Sequence, residues 1–169
     1  MEPDSARDWE FAAFFEAQFA AACRYANALC GDRSEGEEIA QQAFVRVYAR
    51  WPKVRAETAD AYLRKTLTRL FLDTKRRGRA REVAVADLPE LPTEPKQAVL
   101  ERGLVRAALL RLPKKQRAVV LLRFVYDLPI EDVATALGCS HGTVKSQASR
   151  GLATLREAYD KQDTQEAPC

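Results

Sequence analysis

The chain has 169 residues, of which 47% are hydrophobic and 30% charged, and a formal net charge of +3. That length suits one medium domain or two small ones, and the balance is enough to fill cores and stay in solution. No apolar run reaches the roughly 18 residues that span a bilayer and no secretory signal opens the chain, so no membrane insertion and a cytoplasmic location are expected.

The first helix is expected from about Asp8 to Leu29, where Phe11, Phe15, Phe19 and Cys23 recur at every fourth residue with Phe14 beside them. Such a ridge reads as core. Gly31 and Asp32 break the helix, and Ser34 followed by Glu37 reads as a capping box that opens a second one. In it Ile39, Ala43, Val47 and Trp51 form one ridge, Phe44 and Tyr48 flank it, and Pro52 ends it. Lys53 to Glu57 is a short polar connection, after which Thr58 or Asp60 is placed to cap a third helix.

Leu63, Leu67, Leu70 and Phe71 give that third helix an apolar face. Around them stand Arg64, Lys65, Arg69, Lys75, Arg76, Arg77, Arg79 and Arg81, opposed between residues 60 and 82 only by Asp60, Asp73 and Glu82, a local balance of +5. Two accounts are open. The cations are a solvated face with a frayed basic end, or their mutual repulsion is relieved by a polyanion such as nucleic acid.

From Val83 to Lys96, Pro89, Pro92 and Pro95 lie among Asp87, Glu90 and Glu94. Proline blocks an interior helix, so an extended acidic linker and a domain boundary are expected. A fourth helix follows over Gln97 to Arg111. Pro113 opens a fifth, ending near Asp127, in which Val119, Val120, Leu121, Leu122 and Phe124 are expected to pack inward.

Residues 129–155 read as a helix–turn–helix. Ile130, Val133, Ala134 and Leu137 share one face of a short helix, Gly138 supplies a left-handed stop, and Ser140 is placed to cap the next helix by accepting from the N–H of Gly142 or Thr143. Val144, Ala148, Gly151, Leu152 and Leu155 face inward. Thr143, Ser146, Ser149 and Arg150 face outward, flanked by Lys145 and Gln147. A small, polar, mildly basic face of this kind can enter a major groove. An ordinary core hairpin is the plainer alternative, against which stands the joint placement of Ala134, Gly138 and Val144 at small, turn and core positions.

The four cysteines make no framework. Cys23 and Cys30 sit seven residues apart on one helix, roughly 10 Å between Cα atoms, too far for a disulfide. Cys139 lies in the turn, Cys169 ends the chain, there is no C-x-x-C, and His141 is the single histidine. With no glycine-rich phosphate loop and no H-E-x-x-H, no catalytic, cofactor or metal site is expected, and no enzyme.

Taken in order, these parts resemble a sigma-70 family initiation factor of the small extracytoplasmic-function type, and more narrowly its streptomycete SigE branch. The resemblance runs over about residues 8 to 160. Its C-terminal segments are Leu112-Pro113, Gln116-Arg117, Leu122-Arg123, Asp127-Leu128, Glu131, Ala134, Leu137-Gly138, Ser140 and Gly142 to Ser146. These are similar to region 4, which reads the promoter −35 element. Glu38 to Phe44 is similar to region 2.2, and Ala61 to Arg81 to regions 2.3 and 2.4, which melt and read the −10 element.

The resemblance implies an all-α fold of two small helical domains: a three-helix region 2 over 1–82 and a helix–turn–helix region 4 over 97–160. A flexible linker over 83–96 joins them, and residues 161–169 form a loose tail. It implies −35 contacts by Gly142, Thr143, Lys145, Ser146, Gln147, Ser149 and Arg150. It implies −10 contacts by Lys53, Arg55, Thr58, Asp60, Arg64, Lys65, Arg69, Lys75 and Arg76. Core polymerase docking falls to Glu38, Gln41, Gln42 and Phe44. The partners implied are core RNA polymerase, through its β′ coiled coil and β flap, promoter DNA, and an anti-sigma factor.

The chain departs from the family's usual residues at Gln42, commonly glutamate; Glu38, commonly aspartate; Gln147, often arginine; and Gly151, often alanine. Gly151 is expected to cost about 1 kcal/mol of helix propensity and to let the recognition helix fray early. A dimeric helix–turn–helix regulator that binds an operator without polymerase is the alternative. It accounts for residues 99 to 160 and leaves the basic helix and the aromatic N-terminal segment without a role.

Overall fold

Two glycines in the left-handed region, Gly31 at φ 75° and Gly138 at φ 64°, mark sharp ends of helices in the computed structural model, which describes residues 5–74 and 96–166. Seven α-helices account for most of these: α1 (Ser5–Cys30), α2 (Arg33–Arg50), α3 (Ala59–Asp73), α4 (Lys96–Arg111), α5 (Lys114–Val120), α6 (Ile130–Leu137) and α7 (His141–Glu166). Among the described residues there is no strand, as the all-α expectation requires. The chain divides into two compact units, one carrying α1 to α3 and the other α4, α5 and α7. The expected acidic linker lies outside the described residues.

In the first unit α1, α2 and α3 pack against one another in all three pairs. The stripes of α2 and α3 supply the core: Ile39, Ala43, Val47, Leu63, Leu67, Leu70 and Phe71 are all buried, together with Leu29 of α1. The α1 ridge of Phe11, Phe15, Phe19 and Cys23, expected as core, is only half-buried, with Phe15 36% exposed. One end is aromatic. Phe44 of α2 packs against the rings of Phe11, Phe14, Phe15 and Phe19 of α1, at centroid distances of 6.4, 6.1, 4.8 and 5.9 Å. Beneath the same α1 residues Trp51 meets Phe11 at 5.2 Å and Phe14 at 5.0 Å, which fixes where the chain leaves α2. Offset and edge-on ring pairs add about 0.5–1.5 kcal/mol each beyond area burial.

Two of the expected caps are corrected. Asp32, not Ser34, caps α2, accepting from the Glu35 N–H at 2.8 Å. The Gly31 N–H already closes α1 on the Asn27 carbonyl at 2.8 Å, so the next residue is the first free to turn. Ser34 is then inside the helix, and Glu37 pairs with Arg33 at 2.9 Å instead of completing a box. At the start of α3 neither Thr58 nor Asp60 caps with its side chain. A 3₁₀ turn over Ala56–Thr58 runs straight into the helix, and the Thr58 hydroxyl donates back to the Arg55 carbonyl at 3.2 Å.

Gly36 permits a close approach of α1 and α2. A Cβ there would overlap the Asn27 side-chain oxygen and stand 2.8 Å from the Asn27 backbone nitrogen.

The second unit is held at the α4–α5 corner by a buried arginine. Arg117 donates from Nε to the Leu109 carbonyl at 3.0 Å and from Nη2 to the carbonyls of Leu110 and Leu112 at 3.1 and 3.0 Å. The last carbonyls of a helix have no partner within it, and a guanidinium satisfies them while complementing the helix dipole. Val119, Val120, Leu121 and Leu122 are buried as expected, but Phe124 is 50% exposed. The cause is a wide π turn over Leu121–Val125, closed by the Tyr126 N–H on the Leu121 carbonyl at 3.0 Å, which takes Phe124 out of phase with the helix before it.

Two further expectations fail in α7. The helix continues to Glu166, so residues 161–166 are helical rather than a loose tail. Nor does it fray at Gly151, which is buried against α5, where a Cβ would lie 2.7 Å from Val120 Cγ2. Close packing offsets the propensity that glycine forfeits.

Candidate nucleic-acid interface

The turn between α6 and α7 is built by backbone chemistry before any ligand is considered. α6 starts on the Pro129 carbonyl, which accepts from the N–H groups of Asp132 and Val133, both at 3.1 Å. It ends with Gly138 in the left-handed region and the Cys139 N–H on the Ala134 carbonyl at 3.0 Å, a six-to-one closure that satisfies a terminal carbonyl. Ser140 then caps α7 as expected, accepting from the Thr143 N–H at 3.1 Å, while its carbonyl accepts from the Val144 N–H at 3.1 Å. Upstream, Arg123 donates to the Leu128 carbonyl and lies 5.7 Å from the Phe124 ring centroid, beside Asp127 at φ 50°.

Val144 is fully buried on the inner side of α7. On the outer side Gly142, Lys145, Ser146, Ser149 and Arg150 are exposed, and Thr143 and Gln147 are half-buried. The hydroxyls near the helix start are engaged with the protein: Ser140 and Thr143 lie 2.9 Å apart, and Ser146 Oγ donates to the Thr143 carbonyl at 3.0 Å. All seven residues expected at the −35 element thus fall on the first three turns of one capped helix.

The residues expected at the −10 element divide into loop and helix. Lys53, Arg55 and Thr58 are exposed on the two short turns between α2 and α3, and Asp60 is exposed in the first turn of α3. Those turns are pinned by the Val54 N–H on the Trp51 carbonyl at 3.1 Å and the Thr58 N–H on the Arg55 carbonyl at 3.0 Å. On α3 itself Arg69 is exposed and Arg64 and Lys65 are half-buried. Lys75 and Arg76 lie outside the described residues.

Of the docking residues, Glu38, Gln41 and Gln42 are exposed on one ridge of α2, with Gln42 Nε2 donating to Glu38 Oε1 at 3.3 Å. Phe44 is elsewhere: it is 3% exposed, in the aromatic core beneath. The same ridge carries Val45, 69% exposed and not singled out from the sequence. Its spacing of seven, four and three residues from Glu38, Gln41 and Gln42 was the available signal.

Residues 15–81 match the family model for Sigma-70 region 2, and residues 102–155 match the model for Sigma-70, region 4. The RNA polymerase sigma-E factor of Streptomyces coelicolor is 35% identical over 156 residues, 91% of this chain and 88% of that protein. The chain belongs to the sigma-70 family of RNA polymerase sigma factors. The ECF RNA polymerase sigma factor SigL of Mycobacterium tuberculosis is 30% identical over 152 residues, 85% of each chain, in keeping with the extracytoplasmic-function type. Among solved structures, the sigma factor RpoE of Bartonella quintana, in complex with the anti-sigma factor NepR, has a TM-score of 0.71 at 24% identity, over 89% of this chain and 97% of that one. That likeness is one of fold.

The loop, α3 and docking positions of this sigma factor all fall within the region 2 match, and those of α7 within the region 4 match. The operator-binding regulator has no use for the region 2 match. Among the described residues no helix is long and apolar enough to cross a membrane, and no group of three or more His, Cys, Asp or Glu side chains could hold a metal ion.

Proposed function

We propose that this sigma factor brings core RNA polymerase to its promoters by three separate surfaces. The α2 ridge of Glu38, Gln41, Gln42 and Val45, supported from beneath by Phe44, docks on the polymerase β′ coiled coil. Lys53, Arg55, Thr58, Asp60, Arg64, Lys65, Arg69, Lys75 and Arg76 take the −10 element, with the cations holding phosphates and the loop acceptors meeting an extruded base. The outer face of α7 reads the −35 element in the major groove, and the second unit meets the β flap. Domain limits of 1–82, 83–96 and 97–160 follow. The role is one of binding in the cytoplasm, with no catalytic step, and an anti-sigma factor is a third partner in keeping with the family type.

The observation that carries this reading is the outer face of α7. It is a capped helix start that exposes small and basic side chains while Val144 anchors its inner side. Two weak DNA-binding units on one chain reach useful affinity through effective concentration, without either needing to bind tightly alone. The test is reconstitution of the chain with core polymerase on a genomic fragment library, followed by sequencing of transcript starts. A shared upstream element at fixed spacing is expected. Alanine at Lys145 or Arg150 should weaken initiation from it by about 1–3 kcal/mol while polymerase binding persists. Starts with no common −35 sequence, or alanine variants equal to wild type across a salt series, would remove α7 as the reader.

A further inference from the structure

α7 meets α5 across a gap that only a hydrogen atom fills. A Cβ at Gly151 would stand 2.7 Å from Val120 Cγ2, with the Gln116 carbonyl oxygen and Cβ at 3.7 and 3.8 Å. Carbon atoms do not approach to that distance, and Val120 has little room to step aside. It is buried at the end of α5, and a β-branched side chain in a helix has one strongly preferred rotamer. The separation of packed helices is set by the side chains at their contact, so glycine at 151 brings α7 closer to α5 than any other residue would.

This contact lies behind the reading face. Val144 and Gly151 are two buried points on the inner side of α7, about 10 Å apart along the axis. Lys145, Ser146 and Ser149 project between them on the outer side. The Ser140 cap and the Gly138 turn hold the start of the helix in place. A methyl at 151 is therefore accommodated by moving the far point outward. A shift of roughly 0.7 Å over that lever tilts the helix by roughly 4°, and the shift alone reaches the roughly 0.5 Å tolerance within which binding groups must be held.

We infer that Gly151 is a positioning residue for promoter reading. By admitting Val120 against its backbone it sets the tilt at which α7 offers Lys145, Ser146 and Ser149 to the −35 element, and it shapes base preference without touching DNA. The inference rests on α7 being the reader.

The experiment is initiation by the full chain with core polymerase on templates randomised across the −35 element, for wild type, Gly151→Ala, Gly151→Ala/Val120→Ala and Lys145→Ala. A folded Gly151→Ala should lose preference for the best wild-type −35 sequence by about tenfold, the size of one lost base contact, and the double variant should recover to within about twofold. A purely structural role would move the melting temperature and leave the ranking of −35 sequences unchanged. Wild-type ranking from folded Gly151→Ala, or no recovery in the double variant, overturns the inference. Should Gly151→Ala not fold, Val120→Ile, which adds a methyl group on the other side of the same contact, decides: an altered −35 ranking supports the inference and wild-type ranking from the folded variant overturns it. If Lys145→Ala also keeps full −35 dependence, α7 is not the reader. The proposed function of the helix then fails, and this inference with it.

Discussion

The Tyr25 hydroxyl lies 2.7 Å from Thr68 Oγ1, and Thr68 Oγ1 itself donates to the Arg64 carbonyl at 2.8 Å. A threonine hydroxyl has one proton, so Tyr25 is the donor in their bond. Two buried side chains thus tie α1 to α3 by a directed polar link inside an apolar core.

That direction makes the two deletions unequal. Thr68→Val keeps the volume, removes both bonds and takes an acceptor from a buried phenol. Tyr25→Phe removes one bond and leaves Thr68 on its helix backbone. Thr68→Val is expected to cost about 2 kcal/mol and Tyr25→Phe about 1 kcal/mol. Urea melts followed by circular dichroism measure both, and equal or reversed costs would contradict Tyr25 as the donor.

Gly36 and Gly103 separate packing from propensity. Alanine at Gly36 collides with Asn27 backbone and side chain, whereas a Cβ at Gly103 in α4 meets nothing within 4 Å. Gly36→Ala is expected to cost more than about 2 kcal/mol, as forced overpacking does. Gly103→Ala is expected to stabilise by about 1 kcal/mol. Thermal melts of the two variants should therefore move in opposite directions.

Arg117 should behave as a three-point clasp. Arg117→Met keeps much of the stem but takes the guanidinium from the Leu109, Leu110 and Leu112 carbonyls, of which Leu109 keeps the Leu112 N–H at 3.1 Å, at a cost of about 3 kcal/mol. Arg117→Lys should recover less than half of that, because an ammonium is a point charge without the planar fork. Equal stability of the lysine variant and wild type in urea would show that charge, not geometry, closes the corner.

How much of this was legible in the sequence depended on range. The ridge of Ile39, Ala43 and Val47, the Gly138 stop and the Ser140 cap are local patterns, and each is found where its spacing places it. The α2 cap was not, because Asp32 and Ser34 each precede a glutamate by three residues and only the closure of α1 at Gly31 chooses between them. Phe124 follows an apolar run, and a 3.6-residue period cannot foresee the π turn that rotates it outward. For Phe44 a surface role was expected from a motif, although it adjoins the ridge that packs inward. Gly151 reads as a propensity cost until Val120, 31 positions earlier, is brought against it.

Cys23 gives a chemical prediction. Cys23, Cys30 and Cys139 are thiols. Burial, and then the nearby Glu37 carboxylate, raise the Cys23 pKa above its ordinary value of 9.0, partly offset by Arg33 and Arg24. A raised pKa means less thiolate at neutral pH, and the thiolate is the nucleophile. Cys23 in the folded chain should alkylate more slowly at pH 8 than in the urea-unfolded chain, with the gap narrowing as pH rises past 9 and above. Glu37→Gln should speed the folded reaction. Peptide mass mapping of iodoacetamide labelling reads the rate at each cysteine, and a Cys23 faster in the folded state contradicts the shift.

The internal bond of Ser146 limits what that residue can say to a base pair. Its proton is committed to the Thr143 carbonyl at 3.0 Å, so only oxygen lone pairs face outward. In a major groove those lone pairs suit the amino groups of adenine and cytosine, and they meet guanine O6 or thymine O4 as one acceptor meets another. Position 146 of a reader helix in this state favours A or C at the base it faces. Ser146→Ala should flatten that single column of a −35 preference profile and leave its neighbours intact. On the proposed reading of α7, the helix backbone, by holding one hydrogen atom, would set one letter of the −35 element.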